Sequence, residues 1–82
     1  MKTLDLLNIM TQVFIKVRIY IENEKKFFYE DYGYPLYKIL KLREHYSSST
    51  DRKINYIYNS EIKYISFKTG VLTIVLKELQ GD

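Results

Sequence analysis

The sequence predicts an α+β domain: an antiparallel sheet of four to five strands with two helices, in the order α-β-β-α-β-β-β. Three observations lead there. Val13, Ile15, Val17, Ile19 and Ile21 alternate with Phe14, Lys16, Arg18, Tyr20 and Glu22, the period of a strand with one buried face. Leu36, Ile39, Leu40 and Arg43, joined by Leu42 and Tyr46, recur at helical spacing behind Pro35. The last third is rich in β-branched and aromatic residues, interrupted at Asn59-Ser60 and at Lys68-Thr69-Gly70. Runs of strands with two helices place those helices on one face of the sheet.

The elements follow in order. Thr3 is read as the N-cap of a short first helix, with Asp5 in the first turn where the helix dipole favours an anion. Leu4, Leu7 and Met10, with Leu6 beside them, form its apolar stripe. Two turns do not hold alone in water, so this stripe must dock on the rest of the fold. The strand over residues 13–22 comes next, then a polar turn at residues 22–25 and a returning strand over residues 26–30. Gly33-Tyr34-Pro35 breaks the pattern. Proline suits the start of a helix, where its missing N–H would be unbonded anyway, so the second helix is read over residues 35–46. Residues 47–51 are a polar loop. Residues 54–58 and 62–67 read as strands, with Asn59-Ser60 as a turn or a bulge between them. Gly70 supplies a left-handed turn position. The strand over residues 71–76 closes the sheet, with Leu72, Ile74 and Leu76 on one face.

Eighty-two residues hold one core and read as a single domain, residues 1–82. The chain has no cysteine and one histidine. Disulfides, zinc fingers, iron–sulfur ligation and thiol catalysis are therefore excluded, and no cofactor is expected. No apolar run reaches the length of a membrane span and the first ten residues lack the layout of a secretory signal. The expected setting is the cytoplasm. Phe, Tyr, Met, Ile, Asn and Lys make 39 of the 82 residues, and alanine is absent. Codons for these residues are AT-rich, so the abundance of tyrosine and lysine carries less functional weight than it would elsewhere. Net charge is +3, and the excess lies in the middle of the chain, on Lys25, Lys26, Lys38, Lys41, Arg43, Arg52 and Lys53. Such an excess speaks to partners rather than to fold.

Catalytic patterns are missing. Lys68-Thr69-Gly70 lies at a hairpin, not at the strand-to-helix junction of a phosphate loop. His45 stands two residues before Ser47, but a flexible loop does not fix a base against a nucleophile. At the end of a helix its role is to offset the dipole. Glu30-Asp31 is the only adjacent acidic pair, and so short a domain has little room for the cleft that paired carboxylates need. No enzyme activity is expected. Tyrosine remains: Tyr29, Tyr32, Tyr34 and Tyr37 cluster around the start of the second helix, and Tyr56, Tyr58 and Tyr64 follow later. Tyrosine is enriched at interfaces because it offers a large contact area and a polar tip. Glu30 and Asp31 beside the first cluster favour a protein partner over nucleic acid. Tyr29, Tyr32, Tyr34, Tyr37, Lys38 and Lys41 are the expected contact residues.

The opening Thr3-Leu4-Asp5-Leu6-Leu7-Asn8-Ile9-Met10, followed by Val17-Arg18-Ile19-Tyr20, resembles a diffuse group of small phage and mobile-element accessory proteins of low-G+C bacteria. In that group a leucine-rich helix precedes a strand, a hairpin, a second helix and a closing hairpin, here residues 62–76. The group includes anti-CRISPR-type inhibitors. The resemblance implies a non-enzymatic inhibitor of a host defence complex, foremost a CRISPR-Cas effector, acting by direct binding. A net basic chain does not mimic DNA. The alternatives are a nucleic-acid-binding domain using the basic middle segment, with affinity that falls with salt, and a homo-oligomeric structural component pairing through residues 71–76.

Overall fold

A computed structural model describes residues 1–10, 15–22, 27–47 and 49–79. It is α+β, with three helices and four strands among the described residues: α1 (Thr3–Ile9), β1 (Lys16–Ile21), β2 (Phe27–Tyr32), α2 (Gly33–Tyr46), α3 (Arg52–Asn59), β3 (Ile62–Lys68) and β4 (Val71–Leu76). The sheet order is β2-β1-β4-β3. β1–β2 and β3–β4 are antiparallel hairpins, while β1 and β4 run parallel at the centre. The expected all-antiparallel sheet is thus corrected to a mixed one. The cause is the connection: α2 and α3 carry the chain from one outer strand to the other, and such a long crossover lets two inner strands meet in parallel.

The element order is α-β-β-α-α-β-β, because residues 54–58, read as a strand, lie in α3. Asp51 caps that helix, its Oδ1 accepting from the N–H groups of Lys53 (2.9 Å) and Ile54 (3.3 Å). Ile54 and Ile57, three residues apart, are fully buried. Asn59-Ser60 is neither turn nor bulge but the helix end, where the Ser60 N–H bonds to the Tyr56 carbonyl (3.0 Å).

Other boundaries move as well: the returning strand read over residues 26–30 extends to Tyr32. Thr3 is not the N-cap but the first residue of α1, fully buried; Lys2 takes the cap, its N–H donating to Asp5 Oδ2 (3.1 Å). The second helix starts at Gly33, not Pro35. The Gly33 N–H donates to the Ile15 carbonyl (2.8 Å), which ties the start of α2 to the start of β1, and Pro35 sits in a first turn that needs no donor from it. The strand residues Val13 and Phe14, the turn at Asn23 and Glu24, and Lys25 and Lys26 lie outside the described residues.

The core forms between the sheet and the helices. Val17 and Ile19 of β1 and Leu72, Ile74 and Leu76 of β4 join Leu4, Leu7, Leu36, Leu40, Ile54 and Ile57 in one buried cluster. All these strand residues point to one side. The molecule measures 19 Å through its thinnest dimension, which accommodates a sheet and one helical layer about 10 Å in diameter. The opposite face of the sheet carries no helix among the described residues.

Candidate binding surface

The uncovered face is built by the alternate residues of each strand, and the register arranges them in three rows. Phe27, Tyr20, Val75 and Tyr64 are successive cross-strand neighbours from β2 to β3. Glu30, Arg18, Thr73 and Ser66 make the second row, and Tyr32, Lys16, Val71 and Lys68 the third. Neighbouring strands lie about 4.8 Å apart, so the first row is an aromatic stripe about 14 Å long. Phe27 and Tyr64 are more than half exposed, and Val75 is covered by its row neighbours to 7% exposure. The Tyr20 and Phe27 rings meet edge to face, with centroids 6.3 Å apart. Tyr20, Tyr64, Ser66, Lys68, Thr73 and Val75 line a shallow concavity of about 490 Å³.

Charge on this face is paired only in part: Lys16, Arg18 and Lys68 stand there with one carboxylate, Glu30. Glu30 Oε1 lies 3.2 Å from Lys16 Nζ and 3.4 Å from Arg18 Nε, and the two cations hold its carboxyl below the ordinary 4.5. At the rim of the concavity Glu22 holds Lys63 at 2.6 Å and accepts from the Glu78 N–H (3.2 Å). That pairing lowers the Glu22 pKa and raises that of Lys63. Lys16 also reaches over the Tyr32 ring, 6.0 Å from its centroid.

The tyrosines expected to act together are divided between three places. Tyr32 is exposed on the uncovered face. Tyr34 is exposed at the start of α2, beneath Lys38 at 5.4 Å. Tyr29 and Tyr37 pack against the core cluster, and burial, with Asp31 nearby, pushes the Tyr29 phenol above its ordinary 10.0. Lys41 is exposed and pairs with Glu44 at 3.6 Å.

The basic middle segment is also divided. Arg43 stacks on the Tyr58 ring at 4.4 Å and donates from Nε to Asn55 Oδ1 (2.6 Å), and Lys53 donates to the Phe28 carbonyl (3.0 Å). These cations hold elements together. His45 is exposed in the last turn of α2, edge to face with Tyr46.

The aromatic stripe itself escaped the sequence reading. Its members lie far apart in the chain, and only register unites them. A usable signal was Tyr20, one position out of phase with the buried Ile19 and Ile21. Among the described residues no three His, Cys, Asp or Glu side chains gather as metal ligands, and no helix is long and apolar enough to cross a membrane. No family model, curated protein or solved structure matches this chain.

Proposed function

We propose that this protein is a non-enzymatic binding module that docks a partner protein on the uncovered face of its sheet. The supporting observation is the stripe Phe27-Tyr20-Val75-Tyr64, beside which Glu30 engages both Lys16 and Arg18. An aromatic centre with a polar surround has the composition of a protein interface. A phosphate backbone would instead have to displace Glu30 from Lys16 and Arg18. The resemblance of α1 and β1 to phage accessory proteins makes a host defence complex, foremost a CRISPR-Cas effector, the proposed target. Binding there blocks a surface or holds one conformation.

The test is capture by the tagged protein from a CRISPR-bearing low-G+C host lysate, with and without nuclease. The expected result is an effector subunit retained after nuclease treatment and lost with Tyr20→Ser or Tyr64→Ser. Retention of the same subunit by both variants removes the stripe from the interface. Tyr32 and Tyr34 remain proposed contacts at the margins. Alanine at Tyr29 or Tyr37 acts through packing instead, and is read against a stability control.

One observation favours a second reading. Lys16 and Lys68 stand in the same row as Tyr32, parallel to the stripe, and stacking rings beside cations suit single-stranded nucleic acid. That reading requires recovery of nucleic acid that nuclease abolishes, with affinity falling steeply as salt rises.

A further inference from the structure

The edges of the sheet offer a second surface. The strand over residues 71–76, expected to pair with a second copy, is β4 and lies between β1 and β3; both its sides are taken, and that expectation is corrected. The outer strands are β2 and β3. Natural edges are guarded by charge or by cover. β2 carries Glu30 and Asp31, and its Phe28 carbonyl accepts from Lys53. β3 is uncharged from Tyr64 to Phe67. Its first part is closed by the N-terminal residues, through the Ile62 N–H to the Met1 carbonyl (2.8 Å) and the Lys2–Glu61 bridge.

The remaining edge has a definite polarity. Thr69 and Gly70, with φ of 47° and 77°, form a two-residue hairpin loop, so Lys68 and Val71 make a hydrogen-bonded pair and the pattern alternates from there. The Lys77 N–H bonds to the Glu61 carbonyl on the β3 side, and the Leu76 carbonyl accepts from the Glu22 N–H on the β1 side, in phase with that alternation. Tyr64, Ser66 and Lys68 therefore turn their backbone groups toward β4, while Ile65 and Phe67 turn theirs outward. The side chains of Ile65 and Phe67 fall on the helical side of the sheet, in the rows of Ile74 and Leu72. The helical layer does not cover them: they are 48% and 56% exposed.

We propose that β3 pairs antiparallel with β3 of a second copy about a two-fold axis through Ser66, joining the two sheets edge to edge. The edge is complementary to itself. An antiparallel pair forms bonds only where outward residues face outward residues, which excludes registers that set Ile65 against Ser66. Of the registers left, the one centred on Ser66 places Ile65 opposite Phe67 of the second copy, and Phe67 opposite Ile65. Each hydrogen-bonded pair then carries two bonds. Lys68 falls opposite Tyr64 and Lys63 opposite Thr69, so no like charges meet. The hairpin loop of the second copy arrives where Met1 takes over the edge. Centring on Ile65 sets Phe67 against Lys63, and centring on Phe67 sets Ile65 against Thr69, both poorer matches. The aromatic stripes of the two copies then share one continuous open face.

The chain has no cysteine, which makes a register test clean. At the axis the two Ser66 residues form a non-hydrogen-bonded pair, with Cα atoms about 4.5 Å apart, within the range a disulfide bridges. The Ser66→Cys variant of the full chain is expected to become a disulfide-linked dimer under mild oxidation, and the Tyr64→Cys variant to remain unlinked. Sedimentation of the wild type across concentrations should show a monomer–dimer equilibrium. Ile65→Pro removes an outward N–H that makes no bond within the sheet. It should weaken association by on the order of tenfold or more, as expected for two backbone bonds lost per dimer. Should that variant fail to fold, Ile65→Lys tests the same edge with a charge. A monomer at every concentration with no linkage of Ser66→Cys overturns the proposal. So does a dimer that both Ile65 variants leave intact, or equal linkage of Tyr64→Cys.

Discussion

Glu30 is where the chemistry of single residues is densest. One carboxylate serves Lys16 and Arg18 on the neighbouring strand, and Glu22 and Glu61 are held in the same way by Lys63 and by the N-terminal ammonium. All three carboxyls have folded-state pKa values lowered from 4.5. A group whose pKa is lower folded than unfolded contributes stability above the unfolded value, and loses it as pH falls through the folded value. The melting temperature should therefore stay level down to about pH 5 and then decline. Glu30→Gln should reduce that acid-dependent decline. A melting temperature unchanged between pH 5 and pH 3 would show that these pairs do not couple to folding.

Thr3 presents the opposite case. It is fully buried and its Oγ1 has no hydrogen-bond partner among the described residues. A buried hydroxyl without a partner opposes folding, and a methyl of the same shape does not. Thr3→Val should leave stability unchanged or raise it by up to about 1 kcal/mol, read as a shift in the denaturant midpoint. A loss would reveal a partner for that hydroxyl. The sequence suggested a cap at Thr3 because threonine before a leucine stripe has that pattern. The chain starts the helix one residue earlier, which turns the hydroxyl inward.

At the scale of elements, α3 shows why the sequence reading succeeded in some places and not in others. β1, α2 and β4 were legible because each repeats one period long enough to identify a face. Residues 54–58 are short, and their isoleucines and tyrosines favour strands by propensity. Asp51 followed by Ile54 and Ile57 was the contrary signal: an N-cap and a three-residue spacing. The capped helix prevailed because Ile54 and Ile57 bury completely on the core while Tyr56 and Tyr58 pack at its edge. Tyr56 rests on Phe28, with centroids 5.3 Å apart, and its hydroxyl accepts from the Leu79 N–H. Asp51→Ala should destabilise the protein by about 1 kcal/mol, measured by denaturant titration, with Asp51→Asn nearly silent. Equal losses for both would assign the effect to charge rather than to capping.

The whole molecule separates what holds it together from what it offers. A domain of 82 residues has a total stability of about 4 to 12 kcal/mol. Ile74 sits at the centre of the sheet with no exposure, and truncating a buried isoleucine to alanine costs about 2 to 5 kcal/mol. Ile74→Ala should remove much of the total and broaden or abolish the unfolding transition. On the other face of the same sheet Tyr20 and Tyr64 lie where no helix covers the sheet among the described residues. Tyr20→Ser and Tyr64→Ser should each shift stability by less than about 1 kcal/mol, because they give up contacts within the stripe but open no cavity in the core. Local sequence could not disclose this division, since β4 alone supplies Leu72, Ile74 and Leu76 to one face and Val71, Thr73 and Val75 to the other. Thermal melts of the three variants beside their capture of partner decide it. If the tyrosine variants melt like the parent and lose the partner, the uncovered face is a binding surface. If they destabilise as strongly as Ile74→Ala, the stripe is a second core and the partner docks elsewhere.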